Sequence, residues 1–243
     1  MLYDIKSNSP KEIVSAIKNN SLLRINNHSI NSADDLIEFG HCLGSLLKWD
    51  FGYVNELKSC SNANNYLYSH EKVPFHWDGA FHTSPYLLIF HCITAPSKSS
   101  GGETLFAHSQ NILDELSDME INMLERCKLI YRTKKEAHYG GEITITPLSY
   151  HPYTNNQILR FAESVKTILN PVTLTVTGIS TKERDLLISK ITDKLYDRQV
   201  CYQHQWHDNE LLIADNHYLL HGRNAIKFQS ERHIRRIQIM ELH

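Results

Sequence analysis

From about Tyr66 onward the chain consists of short apolar runs separated by turn residues, and no other feature limits its fold as strongly. LLIFHCI is followed by PSKSSGG and ETLFA; KLIYRT, EITIT, QILRFA, VTLTV, VCYQH, ELLIA and IRRIQIM continue the pattern. Runs this short, rich in β-branched and aromatic residues and bounded by Gly, Pro, Asn and Ser, read as strands. Many short strands bury their faces only as a sandwich or a barrel. Helical spacing is confined to three places. The first is residues 1–65. The second runs from Ser109 to about Cys127, with Ser117 as an internal break. The third opens at Ser180 with Glu183 and carries Leu186, Leu187, Ile191 and Leu195. The expected fold is mainly β with helical insertions.

Residues 1–65 read as helix, strand, helix, packed on the β portion. Ser9 with Glu12 forms a capping box with Pro10 at the first helical position. Leu22 to Ile25 is a short strand. Ser32 caps a second helix carrying Leu36, Ile37, Phe39, Leu43, Leu46 and Leu47. No repeat, low-complexity segment or linker divides the chain, so residues 1–243 are expected to form a single domain.

A formal net charge of -2 argues against a surface committed to nucleic acid. The five cysteines include no C-x-x-C pair and are odd in number, which disfavours a disulfide scaffold and implies a reducing compartment. No apolar run suits a signal sequence or a bilayer span. A cytoplasmic protein with a small-molecule partner is expected, in contact with neither nucleic acid nor membrane. Oligomeric state is left open.

VPFHWDGAF contains His76-x-Asp78. Residues two apart on a strand share a face, so an imidazole and a carboxylate can converge on one metal. A second histidine would complete a 2-His-1-carboxylate triad, which suits Fe(II) and leaves open positions. Taken alone the triplet reads better as a strand-edge histidine beside an Asp-Gly turn, since about one is expected by chance. The C-terminal part shifts the balance. ELLIADNHYLLHGRN places His221 after a strand and a turn, and ERHIRRIQIM follows. On a strand, Arg232, Ile234, Arg236 and Gln238 share one face. An arginine pair on such a face suits a polar pocket, where the planar guanidinium can grip a carboxylate; a dicarboxylate such as 2-oxoglutarate needs that anchor. The competing reading of ERHIRR is a solvated basic edge strand.

His204, His207, His217 and His221 crowd one run, and the 217/221 spacing keeps a zinc hydrolase open as a rival. A non-enzymatic cupin-like binding domain is another. Lys72 and Arg160 are candidate substrate contacts, each with an ordinary surface role as the alternative. His91 reads as a hydrogen-bonded core histidine, Trp77 as core, and Asp215 and Asn216 as turn formers.

From about Pro74 to Met240 these residues resemble the taurine dioxygenase-like family of Fe(II)/2-oxoglutarate oxygenases. FHWDG resembles its first metal motif, GGETLFA the next element, YHPYTNNQILRF its His-Pro-turn-strand element and ADNHYLLHGR its distal histidine motif. Arg232 and Arg236 follow His221 by eleven and fifteen residues. The resemblance implies a double-stranded β-helix, or jelly roll, with Fe(II) on His76, Asp78 and His221. It also implies 2-oxoglutarate held by Thr104 and Arg232, with Arg236 near its keto-acid end or the substrate, and O2 as oxidant. FHCITAPSKSSGGETLFA, YGGEI and LLHGRN are similar to the branch associated with isocyanide biosynthesis. That branch implies decarboxylative desaturation of an isonitrile such as tyrosine isonitrile. Hydroxylation of another small amino acid or sulfonate is the alternative within the family.

Overall fold

The computed structural model describes every residue except 8, 137–138 and 228–229. The N-terminal part forms β1 (Leu2–Ile5), α1 (Pro10–Asn19), β2 (Leu22–Ile25), α2 (Ala33–Leu43), β3 (Gly44–Leu46) and β4 (Asn55–Lys58). The centre forms β5 (Val73–His76), β6 (Leu87–Thr94), β7 (Thr104–His108), α3 (Ser109–Leu113), α4 (Asp118–Arg126), β8 (Lys128–Glu136), β9 (Tyr139–Ile145), β10 (Leu148–Tyr150), β11 (Gln157–Leu159) and β12 (Thr173–Thr177). The C-terminal part forms α5 (Thr181–Tyr196), β13 (Cys201–His204), β14 (Leu211–Asp215), β15 (Leu219–Arg223) and β16 (His233–Leu242).

A large sheet runs β1-β2-β14-β6-β16-β3, with β4 also on β16, and a four-stranded sheet runs β13-β7-β15-β5. Leu88, Phe90, Phe106, Leu212, Leu219 and Ile234 pack between the two sheets. Their neighbours along the strands, such as Leu87, Ile89, Ile213 and Ile237, pack instead with Ile13, Ile17 and Leu36 of α1 and α2. Phe75, Leu105 and Leu220 pack outward with Leu124, Leu187 and Ile191 of α4 and α5. Central strands buried on both faces explain why the apolar runs are continuous rather than alternating. This is the jelly roll that the strand pattern and resemblance implied.

Three local expectations change. Residues 1–65 begin with a strand, and β1 and β2 extend the large sheet rather than only lying on it. The helix α2 stops at Leu43, and Leu46 lies in β3. Gly44 is the reason: a Cβ there would sit 2.0 Å from the Glu241 carbonyl oxygen, so only glycine lets β3 close on β16. Ser9 precedes α1 without a side-chain capping bond. The boxes Ser32/Asp35, Ser117/Glu120 and Ser180/Glu183 all form. The strand β16 pairs with β6 on one side and with β3 and β4 on the other. The ERHIRR segment is therefore not an exposed edge.

Candidate metal and cosubstrate site

Antiparallel pairing of β15 with β5 sets His221 opposite His76. Val73 and Phe75 of β5, and Trp77 just after it, join the outer core. The period of two turns His76 to the opposite side, and Asp78 follows it in the turn just after β5. The Nε2 atoms of His76 and His221 each lie 3.7 Å from Asp78 Oδ1. All three ligand atoms fall within 4.8 Å of one another. His76 Nδ1 donates to the Pro74 carbonyl at 2.9 Å, which leaves the Nε2 lone pair for a metal. His221 Nε2 is buried without a hydrogen-bond partner, an arrangement that calls for a ligand. Burial lowers the pKa of both imidazoles, that of His221 to about 3, so both are held in the neutral, metal-binding form. Burial pushes the Asp78 carboxyl up, but Arg236, the two histidines and Gln238 outweigh it and hold it below the usual range. Two imidazoles and one carboxylate with no thiolate fit Fe(II).

The other Asp78 oxygen is fully engaged. Oδ2 lies 2.8 Å from Arg236 Nη1 and accepts from Gln238 Nε2 at 2.7 Å. Asn216 locks the Asp78 backbone: its Oδ1 accepts from Asp78 N at 2.9 Å, and its Nδ2 donates to Asp78 O at 3.1 Å and Pro85 O at 2.9 Å. Asp215 Oδ1 caps His217 N and Tyr218 N at 2.8 and 3.0 Å, holding the turn before β15.

Arg232, just ahead of β16, is 4% exposed. Its Nε donates to Gly102 O at 3.0 Å and its Nη2 to Thr104 Oγ1 at 3.1 Å. Trp206 Nε1 also donates to Thr104 Oγ1, at 2.9 Å. Burial lowers the Arg232 pKa to about 9, and no carboxylate among the described residues pairs with it. A buried, unneutralised guanidinium fits the far carboxylate of 2-oxoglutarate.

A cavity of about 280 Å³ opens beside the triad, reached by His76, Asp78, Arg236 and Gln238. Eight of its 24 lining residues are aromatic, among them Trp49, Tyr66, Trp77, Phe81, Tyr131 and Tyr139, and polar side chains such as Asn55, Asn65, Glu163 and Asn170 lie between them. Trp77 thus serves both core and cavity. Neither substrate candidate lines this cavity. Lys72 is exposed, with its ammonium 3.8 Å from the centre of the Tyr196 ring, and is not part of the cavity wall. Arg160 Nη1 donates to Asn216 O at 2.9 Å and its Nη2 to His217 Nδ1, bracing the turn, and its guanidinium lies 5.9 Å from the centre of the Trp77 ring. His91 is buried and shares a 2.9 Å hydrogen bond with Asn209.

The histidine run does not assemble a zinc site. His204 pairs with Glu210 at 2.9 Å, and His217 sits in the turn between β14 and β15, off any helix. Among the described residues the one cluster of metal-type side chains within ligating reach is His76, Asp78 and His221. Gln238, Trp49 and Arg223 were not foreseen as site residues. Arg223 donates to the carbonyls of Leu67 and Ser69 at 3.1 and 2.6 Å and so pins the segment leading into β5.

Residues 2–238 match the family described as taurine catabolism dioxygenase TauD, TfdA family. The chain is 37% identical to 3-((Z)-2-isocyanoethenyl)-1H-indole synthase of Fischerella ambigua, over 98% of this chain and 88% of that one. It is 34% identical to tyrosine isonitrile desaturase of Pseudomonas aeruginosa, over 85% and 72%. The crystal structure of PvcB from Pseudomonas aeruginosa superposes with a TM-score of 0.81 at 28% identity, covering 98% of this chain and 84% of that one. PvcB is described as an Fe, alpha-ketoglutarate dependent oxygenase from an isonitrile synthetic pathway. With its strand order, its His-Asp-His triad and a lone buried guanidinium, the chain belongs to the TauD/TfdA family of dioxygenases.

Proposed function

We propose that this protein is an Fe(II)- and 2-oxoglutarate-dependent oxygenase that converts an isonitrile derived from an aromatic amino acid into a vinyl isonitrile. His76, Asp78 and His221 would hold the iron, and Arg232 with Thr104 the far carboxylate of 2-oxoglutarate. Bound there, iron with 2-oxoglutarate and O2 supplies the power to oxidise an unactivated C–H bond. The chain's own residues supply placement and exclusion of water. Burial keeps both imidazoles neutral, Arg236 and Gln238 keep Asp78 ionised and oriented, and the aromatic walls pack a ring. The observation that carries the substrate class is the group of eight aromatic rings in that cavity, directly beside the triad. Relatives at 37% and 34% identity, named for an indole and a tyrosine isonitrile, support it.

The overall balance closes. The substrate gives up CO2 and two hydrogens, and 2-oxoglutarate becomes succinate and CO2. One O2 is consumed, one oxygen atom going to succinate and the other to water. A cytoplasmic location and a small molecule as partner belong to the same proposal. All five cysteines are free, and no helix among the described residues is long and apolar enough to cross a membrane.

Anaerobic Fe(II) followed by 2-oxoglutarate should give the visible charge-transfer band of the chelate. His76→Ala should abolish the band and Arg232→Ala should weaken it strongly. With O2, the isonitriles of tyrosine and tryptophan should yield vinyl products by mass spectrometry. An absent band in the wild type would sink the cofactor assignment. A normal band with 2-oxoglutarate turnover and unchanged isonitriles would sink only the substrate and redirect it to another small amino acid or a sulfonate.

A further inference from the structure

Gln238 touches Asp78 on one side and Trp49 on the other. Its Nε2 donates to Asp78 Oδ2 at 2.7 Å, and its Oε1 accepts from Trp49 Nε1 at 2.8 Å across 189 residues of sequence. An indole N–H can only donate, and an ionised carboxylate can only accept. Those two neighbours therefore permit one orientation of the amide. The reversed orientation would set donor against donor at Trp49 and acceptor against acceptor at Asp78. Trp49 is itself fixed by ring contacts. It stacks on Phe51 with centroids 6.1 Å apart at 11° and tilts against His82 at 5.4 Å. Trp49, Phe51, His82, Gln238 and Asp78 all line the cavity beside the triad.

We propose that Trp49 and Gln238 form a positioning relay for the metal carboxylate. Trp49 sets the Gln238 amide, and the amide, together with Arg236, occupies Asp78 Oδ2. Asp78 Oδ1 alone is then presented to the side where His76 and His221 converge. A carboxylate restricted to one ligating oxygen leaves more of the metal's positions for other ligands. A ring packed on the Trp49–Phe51 shelf is joined to that carboxylate through two hydrogen bonds, so what fills the cavity can act on the metal ligand. Neither residue is assigned contact with reacting atoms. The inference rests on the reading of Asp78 as a metal ligand and is independent of which substrate is turned over.

The test uses the full chain freed of metal, with Mn(II) as the probe in equilibrium dialysis. Anaerobic Fe(II) with 2-oxoglutarate is then followed through its visible band. Gln238→Met keeps the length of the side chain and removes both polar contacts; Trp49→Phe keeps a ring and removes the N–H. Gln238→Met is expected to weaken Mn(II) binding about tenfold to a hundredfold and to shift the band. Trp49→Phe is expected to act in the same direction and less strongly. The double variant should bind no worse than Gln238→Met, because both changes act through one amide. Should Gln238→Met fail to fold, Trp49→Phe decides alone, since it removes little packing. Wild-type Mn(II) affinity and an unmoved band in Trp49→Phe, or additive losses in the double variant, would overturn the relay. A lowered thermal midpoint with unchanged affinity and band would reduce the pair to ordinary packing and overturn it too. A wild type that binds neither Mn(II) nor Fe(II) removes the metal-site reading and the relay with it, a distinct result.

Discussion

Arg232 shows why side-chain type matters at this site more than charge alone. Its guanidinium reaches two acceptors at once, Gly102 O and Thr104 Oγ1, and is held by them with no carboxylate nearby among the described residues. A lysine would restore the charge, but it has no planar fork and cannot keep both contacts while gripping a carboxylate. Arg232→Lys is therefore expected to raise the KM for 2-oxoglutarate about tenfold or more, with a smaller change in kcat; hydrogen bonds to charged groups are worth about 1.5–3 kcal/mol. Steady-state kinetics with 2-oxoglutarate varied will show it, and an unchanged KM would place the cosubstrate elsewhere. His76, His221 and Arg236 were legible because each lies on a strand whose period of two fixes its side, and Asp78 and Arg232, just beyond strand ends, were legible from their spacing to those residues. Gln238 was legible as a member of that face and not as a partner of Asp78. The contacts Gln238–Asp78 and Asn216–Asp78 span 160 and 138 residues, and nothing local in the sequence marks them.

At the scale of elements, caps and close approaches decide where helices begin and strands can meet. Ser180 accepts from Glu183 N and Glu183 returns a bond to Ser180 N, whereas Ser9 makes no such bond. Ser180→Ala should cost about 1 kcal/mol in urea unfolding and Ser9→Ala a few tenths. Equal losses would mean that the box at α5 carries no weight. Gly44→Ala should cost about 1–3 kcal/mol, because the new methyl group meets backbone rather than a yielding side chain. The same physics explains which elements could be read in advance. The strands β6, β14 and β16 carry unbroken apolar or interleaved faces because they lie between layers. The strand β4, with sequence NELK, and β1, with LYDI, lie at the margins of the large sheet and are largely exposed. Their pairing comes from the neighbouring strand rather than from any pattern of their own. The end of α2 was misplaced for a related reason: Leu46 and Leu47 continue a helical spacing, and only the approach of Glu241 reveals the strand.

The layering of the whole molecule gives several of its histidines, buried or half-buried, a common property. Helices cover the large sheet on one side and the small sheet on the other, so imidazoles within these layers are poorly solvated. Burial lowers the pKa of His91 and His108, and lowers that of His217 to about 3, with Arg160 adding to the effect at His217. In the unfolded chain such a histidine takes up a proton near pH 6.5. In the fold His217 stays neutral, accepting a hydrogen bond from Arg160. Between these two pKa values the unfolded chain binds more protons, so stability falls as the pH falls. For one such group the loss is about 1.4 kcal/mol per pH unit, or about 2 kcal/mol between pH 6.5 and pH 5. Carboxylates do not contribute to this window, because those with lowered values lose their stabilising effect only below about pH 4.5. Urea unfolding of the metal-free protein at pH 7, 6 and 5 should therefore show a steady decline. His217→Gln retains an acceptor for Arg160 but no proton to gain. Its decline should be shallower by about that 2 kcal/mol over the same range. The remaining histidines, His76 and His221 included, are common to both proteins and cancel in the difference. Parallel profiles for the two proteins would show that His217 is already protonated in the fold and that Arg160 is held in some other way.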